Sequence, residues 1–160
     1  MLLFLKNLLF TLVVPGTVAV YVPLFLAQHR PPTSGPLFAI ALAILALGGA
    51  IYAWCVWDFA TFGRGTPAPI AAPKKLVVRG LYRYTRNPMY VGVLTVISGW
   101  TVLFQAAALV LYTLIVGACF HLFIVLYEER QLQQEFGDEY EDYRRRVSRW
   151  LPRLGHRLAA

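Results

Sequence analysis

Acid is nearly absent from the first 127 residues: Asp58 stands alone there against eight Lys and Arg. Cysteine is scarce too. Cys55 and Cys119 lie inside apolar runs and form no C-x-x-C pair, which removes that motif and leaves two buried small hydrophobes. The three histidines, His29, His121 and His156, are dispersed, so no metal site is expected. Nucleic-acid binding finds no support either, because the basic residues hug apolar boundaries rather than a soluble face. No internal repeat is visible.

What is abundant is apolar surface. Of the 160 residues 58% are hydrophobic, and mean hydropathy is +0.56. That is too apolar for a small soluble core and points to an all-α integral membrane protein of one domain. Four stretches are candidate spans: Leu8–Ala27, Leu37–Trp57, Met89–Phe104 and Ala107–Tyr127. The third is short against the ~20 residues a span needs. Only Gln105 and Ala106 separate it from the fourth, so the pair reads as a tight helical hairpin. The first stretch is too long for a signal peptide and carries Pro15 and Pro23 without a clear cleavage site. We therefore expect two N-terminal spans (1–57), a connector (58–87), a hairpin (88–127) and C-terminal helices (128–160).

From Glu128 onward acids and bases number seven each, so the formal +7 arises entirely ahead of it. Six of those bases, Arg64, Lys74, Lys75, Arg79, Arg83 and Arg86, fall between the second and third spans. The positive-inside rule puts that loop in the cytoplasm, with both termini, in an inner or plasma membrane. Such a surface also attracts membrane lipid headgroups.

Polar residues form two blocks. One is Asp58–Asn87. It opens with the Gly- and Pro-rich "FGRGTPAPIAAP", which forbids a long helix, and continues as the extended run "KKLVVRGLYRY". The lone G-x-G of Gly63–Gly65 reads as a flexible loop or a weak ligand signal. The other block is the tail. "EERQLQQEF" can continue the fourth span as a helix, Gly137 suits its end, and Asp138 with Glu141 resembles a capping box. Beyond it Tyr140, Tyr143 and Val147 share a face, and Glu141–Arg145 and Asp142–Arg146 are i,i+4 pairs. This second helix reads as amphipathic, lying on the membrane or on the loop. Both blocks flank the hairpin, so they emerge on the same side and enclose one polar pocket.

Within that pocket Asn87 suits an N-cap and Pro88 the first helical position. The same helix start offers free N–H groups to a carboxylate or phosphate, with Arg86 beside it and Tyr90 one turn inside. Glu128 and Glu129 close the fourth span, where acids oppose the helix dipole. A salt bridge to Arg83 or Arg86, or a ligand with ammonium or hydroxyl groups, would compensate. The faces of Tyr82, Tyr84 and Tyr90 could hold a cation. An anion site opposite a cation site complements a zwitterion such as S-adenosylmethionine.

The stretch "LVVRGLYRYTRNPMYVG", followed after about thirty-five residues by "YEERQLQQEFGDEYEDYRRRVSRWLPR", resembles the isoprenylcysteine carboxyl methyltransferase and phospholipid methyltransferase superfamily of integral membrane enzymes. The resemblance spans roughly residues 63–153. It implies S-adenosyl-L-methionine as methyl donor, held by Lys74, Lys75, Leu76 and Val77, by Tyr82, by the Asn87, Pro88, Met89, Tyr90 box, and by Glu128 and Glu129. Asn87 stands where the prenylcysteine enzymes carry His, and Ile124 where they carry a substrate-binding Arg. The acceptor implied is lipophilic or membrane-embedded: a lipid amine, carboxylate or thiol. Methyl transfer from a sulfonium is an in-line displacement that needs alignment, desolvation and whatever base the acceptor requires. His121, seven residues before Glu128 and so expected on its face, and Arg83 are the candidates for handling the acceptor. A nicotinamide-dependent membrane reductase and a non-catalytic scaffold are the competing readings. Oligomeric state is not legible.

Overall fold

The computed structural model describes residues 13–63 and 76–151, and every regular element among them is helical. Helix α1 covers Val13–Ala27, α2 Pro36–Asp58, α3 Pro88–Phe104, α4 Ala107–Phe123 and α5 Glu129–Arg146. A π turn at Phe59–Gly63 extends α2, and another at Ile124–Glu128 joins α4 to α5. Pro36–Phe62 and Ala107–Arg146 are long and apolar enough to cross a membrane, whereas α1 and α3 are apolar but shorter. At 1.5 Å per residue the 17 residues of α3 reach about 26 Å, short of a ~30 Å hydrocarbon core.

Proline shapes α1. Pro23 has no N–H to give to the carbonyl of Ala19, and the π turn Thr17–Tyr21 sends the Val22 N–H to Thr17 O instead of Val18. Two carbonyls are thereby released inside an apolar bundle, where an unsatisfied polar group is costly. Side chains from the hairpin answer both: Trp100 Nε1 donates to Ala19 O and Tyr112 Oη to Val18 O, each at 2.9 Å. Polar reach from α3 and α4 thus fixes where α1 docks. Around these bonds Ala19, Val93, Ile97 and Val116 form the buried core.

Helices α2 and α3 meet backbone to backbone. A Cβ on Gly48 would sit 2.7 Å from Val96 N and 2.8 Å from Gly92 O. One on Gly92 would lie 3.0 Å from Tyr52 N. Small residues permit this approach, which recovers dispersion energy where lipid supplies no hydrophobic drive. The hairpin turns at Gln105, in the left-handed region at φ 46°, and Leu103 O accepts from Thr33 N at 2.7 Å. The α1–α2 loop and the hairpin turn therefore share one end of the bundle.

The opposite end carries the polar blocks. Leu76–Val78 is irregular and Gly80–Arg83 forms a 3-10 turn. The tail helix breaks at Gly137 as expected: φ 50° and ψ −123° are not helical, and two helical segments meet there across a kink. The helix then resumes and buries Tyr140, Tyr143 and Val147 against Leu76, Leu132 and Phe136. The amphipathic face thus lies on the loop. Of the expected charge pairs Glu141–Arg145 closes at 3.8 Å, while Arg146 Nε reaches the Asp142 carbonyl instead.

Candidate functional site

Three segments converge at that end: Arg79–Tyr90, the α4–α5 junction, and the tail at Tyr140–Trp150. Main-chain bonds stitch the first to the last. Arg86 N donates to Ser148 O at 2.9 Å, and the Arg149 carbonyl accepts from Thr85 Oγ1 at 2.9 Å and Asn87 Nδ2 at 3.1 Å. Tyr143 Oη donates to Tyr82 O at 2.7 Å.

Asn87 does occupy the N-cap and Pro88 the first turn, yet the Asn87 side chain makes no cap bond. Its amide is spent on the tail. The start of α3 is therefore built by tertiary contact, which corrects the local capping account.

The glutamate pair is corrected too. Because the helix runs on through α5, Glu128 and Glu129 are not at a helix C-terminus, and the dipole argument lapses. Their neighbours differ sharply. Glu129 is gripped by Arg149, with Nε to Oε1 at 2.7 Å and Nη2 to Oε2 at 3.0 Å, and by Arg86 Nη1 at 3.0 Å. Burial pushes its pKa up, but the Arg149 hydrogen bond and the Arg86, Arg149 and Arg144 charges win, so it lies below the ordinary carboxylate value. Glu128 has one neutral donor, Tyr90 Oη, at 2.7 Å. Burial raises its pKa, and Glu129 beside it adds to the rise against the lowering by Tyr90. One acid is neutralised by cations while the other keeps an unspent carboxylate beside the mouth of α3.

The guanidinium of Arg86 also reaches Tyr140 Oη at 3.1 Å through Nη1, but its Nε is buried without a partner. Buried donors are rarely left unpaired in native proteins. Arg86 Nε and the Glu128 carboxylate are thus a free donor and an acceptor with spare capacity within one cluster.

His121 is not on the face of Glu128. The π turn between them inserts about one extra residue into the helical count, so Phe120 takes the place that even spacing gives to His121. Tyr90 touches both partners, its ring 4.7 Å from Phe120 and its hydroxyl on Glu128. His121 is exposed and accepts from Trp150 Nε1 at 3.2 Å under a stacked indole. Arg83 is exposed as well and pairs with nothing among the described residues; Arg86, not Arg83, holds the acid. The Tyr82 ring is packed edge-on against Phe59 at 5.6 Å, beside Cys55, Val77, Leu81 and Met89, and Tyr84 points outward. Of the three tyrosines only Tyr90 bonds directly to an acid of the pair. Leu76 lies under the tail helix. Lys74, Lys75, Arg64 and Gly65 fall outside the described residues. Thr85, Ser148 and Arg149 were not singled out in sequence, and no local pattern marks them: each acts across twenty or more positions. Among the described residues no group of His, Cys, Asp and Glu could hold a metal.

The sequence model of the phospholipid methyltransferase family matches residues 37–139. A methanethiol S-methyltransferase of Mycobacterium tuberculosis is 38% identical over 73 residues, 45% of this chain and 28% of that protein. A second methanethiol S-methyltransferase, from Bradyrhizobium diazoefficiens, is 38% identical over 74 residues, 46% of this chain and 27% of its own length. A probable protein-S-isoprenylcysteine O-methyltransferase of Oryza sativa is 39% identical over 79 residues, 49% of this chain and 41% of that protein. Each match thus spans less than half of the relative.

Proposed function

The chain belongs to the phospholipid methyltransferase family, and from that premise we propose that it transfers a methyl group from S-adenosylmethionine to a lipophilic acceptor arriving from the bilayer. The observation that carries this reading is the asymmetric acid pair: Glu129 locked by Arg86 and Arg149, Glu128 held by Tyr90 alone. Arg86 Nε, buried and unpaired, suits the carboxylate end of the donor. Glu128 suits its hydroxyl or ammonium groups. S-adenosylmethionine supplies an electrophilic methyl on a sulfonium. The chain's own part is to orient it, to exclude water through the tail packed over the loop, and to keep Glu129 from competing for its cation. The family match leaves the reductase and scaffold readings without a supporting observation.

A thiol is the acceptor class this reading favours. Two relatives named for methanethiol match 45% and 46% of this chain, a thiolate needs little help from a protein base, and position 124 carries a buried Ile rather than a carboxylate-binding Arg. In detergent, S-adenosylhomocysteine should raise the unfolding midpoint, as any native-state ligand must, adding about 2.7 kcal/mol of stability at a hundredfold excess over Kd. Stabilisation by NADPH and not by S-adenosylhomocysteine would overturn the donor assignment. With labelled donor, alkyl thiols should be methylated far faster than a farnesylcysteine analogue; the reverse order would return the acceptor to the carboxylate class.

Four spans with the loop and tail in the cytoplasm complete the proposal, supported by the basic loop and by the joining of loop ends at Thr33 and Leu103. In a background with Cys55→Ala and Cys119→Ala, the substitutions Ser34→Cys and Glu139→Cys should label from opposite faces. Labelling of both from outside would refute this topology.

A further inference from the structure

Asp58, the only acid ahead of Glu128, ends α2 with its side chain 2% exposed. Its Oδ1 lies 3.3 Å from Arg79 Nε. Its Oδ2 is buried and accepts no hydrogen bond, because it is packed on the main chain of Gly80. A Cβ on Gly80 would collide with Oδ2 and stand 2.9 Å from Trp54 Nε1, and at φ 55° glycine alone sits there without strain. A second contact closes the clamp: the Arg79 guanidinium lies 3.4 Å from the centroid of the Phe62 ring, in the π turn that extends α2. Such an acid adds little to stability. Burying a carboxylate is costly, more so with one oxygen unpaired, and the arginine that answers it is 40% exposed, so solvent screens the pair. What the clamp fixes is a chain path. Arg79 O accepts from Tyr82 N at 3.0 Å and Leu81 O from Thr85 N at 3.3 Å. The 3-10 turn Gly80–Arg83 therefore starts at the clamped residue and runs straight into Thr85, Arg86 and Asn87, which carry the bonds to Glu129 and to the Arg149 carbonyl.

We propose that Asp58 is a positioning residue for methyl transfer: through Arg79 and Gly80 it sets where the turn delivers the Arg86 guanidinium beside the acid pair. It touches neither donor nor acceptor and acts from the end of α2, on the far side of the turn from the tail. The inference rests on the donor reading, in which Arg86 Nε takes the carboxylate of S-adenosylmethionine. It explains why a lone acid is kept buried with an oxygen unpaired: a carboxylate pressed on a glycine main chain and pinned to the neighbouring arginine holds two consecutive residues at once. Packing of apolar side chains would bury the same surface at lower cost but would not hold Arg79.

Asp58→Asn keeps the shape and removes the charge. In ligand-free protein in detergent, amide hydrogen exchange should quicken across residues 80–87, while α3 and α4 keep the parent's protection and the unfolding midpoint does not fall. Arg79→Gln, at a half-exposed side chain, should do the same and guards against misfolding of the first variant. By calorimetry each should bind S-adenosylhomocysteine about tenfold more weakly than the parent. With labelled donor the loss should fall on the donor KM and leave kcat in place. Adding Asp58→Asn to Arg86→Gln should weaken binding no further than Arg86→Gln alone, since the acid acts through that guanidinium. Unchanged exchange at 80–87, parent-like affinity in Asp58→Asn, or additive losses in the double variant would each overturn the proposal. A midpoint that falls in step with binding would overturn it too, by making the acid merely structural. A parent that binds no S-adenosylhomocysteine would overturn the donor reading instead, and the exchange measurement would still decide whether Asp58 holds the turn.

Discussion

The α2–α3 seam and the loop–tail junction hold the same molecule together by opposite means. At the seam there is no charge. Glycines remove side chains so that Gly48 and Gly92 bring two backbones into contact, and the gain is packing alone. At the junction almost every contact is polar and many are charged: Glu129 to two guanidiniums, Tyr90 to Glu128, Asn87 and Thr85 to the Arg149 carbonyl. The difference follows the solvent. In lipid a polar contact gains little over well-packed small residues, and each unpaired group is costly. At the membrane edge, water competes for surface pairs but not for those covered by Tyr140 and Tyr143, so charge can set geometry there.

The comparison breaks most severely at the seam. Gly48→Val places side-chain atoms against Val96 and Gly92 with no flexible neighbour to yield, and should cost about 3 kcal/mol of stability. Any surviving folded protein should bind S-adenosylhomocysteine normally, by thermal shift and calorimetry. Wild-type stability would show that the backbones can part cheaply.

Next comes Glu129→Gln, which leaves Arg86 and Arg149 without their acid inside a half-covered cluster. After discounting for the partly exposed Arg149 we expect a loss of about 2 kcal/mol. A change below the error of a denaturation curve would make the junction a surface ornament rather than a structural joint.

Asn87→Asp is milder. It trades an amide donor for a carboxylate facing the Arg149 carbonyl, against a favourable dipole at the start of α3, for a net loss of about 1 kcal/mol. A stabilised variant would restore the simple capping account.

Glu128→Gln is the smallest in stability and sharpens the comparison by pH. Glu128 binds its proton more tightly when folded, so the parent should lose stability as pH rises from the ordinary carboxylate value, 4.5, through the raised one. Glu129 works in the other direction: its contribution is present above 4.5 and is lost as pH falls through its lowered value. Unfolding midpoints across pH 3 to 7, about the carboxylate range, should therefore show the rising-pH loss vanish in Glu128→Gln and the acid-side loss vanish in Glu129→Gln. S-adenosylhomocysteine affinity of Glu128→Gln should drop about tenfold at neutral pH. Identical pH profiles for the two variants would mean the acids are equivalent.

Much of the helical layout was legible because hydropathy is a local quantity. The hairpin at Gln105–Ala106, the run-on of the fourth helix and the break at Gly137 all follow from residue types within a few positions. The tail face of Tyr140, Tyr143 and Val147 was legible as a face, though whether membrane or loop would cover it was not. Site residues were read unevenly. Arg86, Tyr90, Glu128 and Glu129 are brought together, while His121 and Arg83 face away. The miss at His121 has a definite cause: a π turn, which no residue between Ile124 and Glu128 announces, shifts the register by about one residue.

Sequence alone determined that this chain is helical and apolar, and that its polar residues form two blocks flanking a hairpin, because periodicity, charge count and Gly or Pro placement act within a turn or two. Its membership in a methyltransferase family is likewise written in the order of its residues. Tertiary structure decided which acid is paired and which is left available. Arg149 reaches Glu129 across twenty positions, and Tyr90 reaches Glu128 across thirty-eight. No local rule chooses between two adjacent glutamates of identical chemistry. Only the folded path of the tail, set by buried tyrosines and a one-residue bulge in a helix, delivers two cations to one carboxylate and a single hydroxyl to the other.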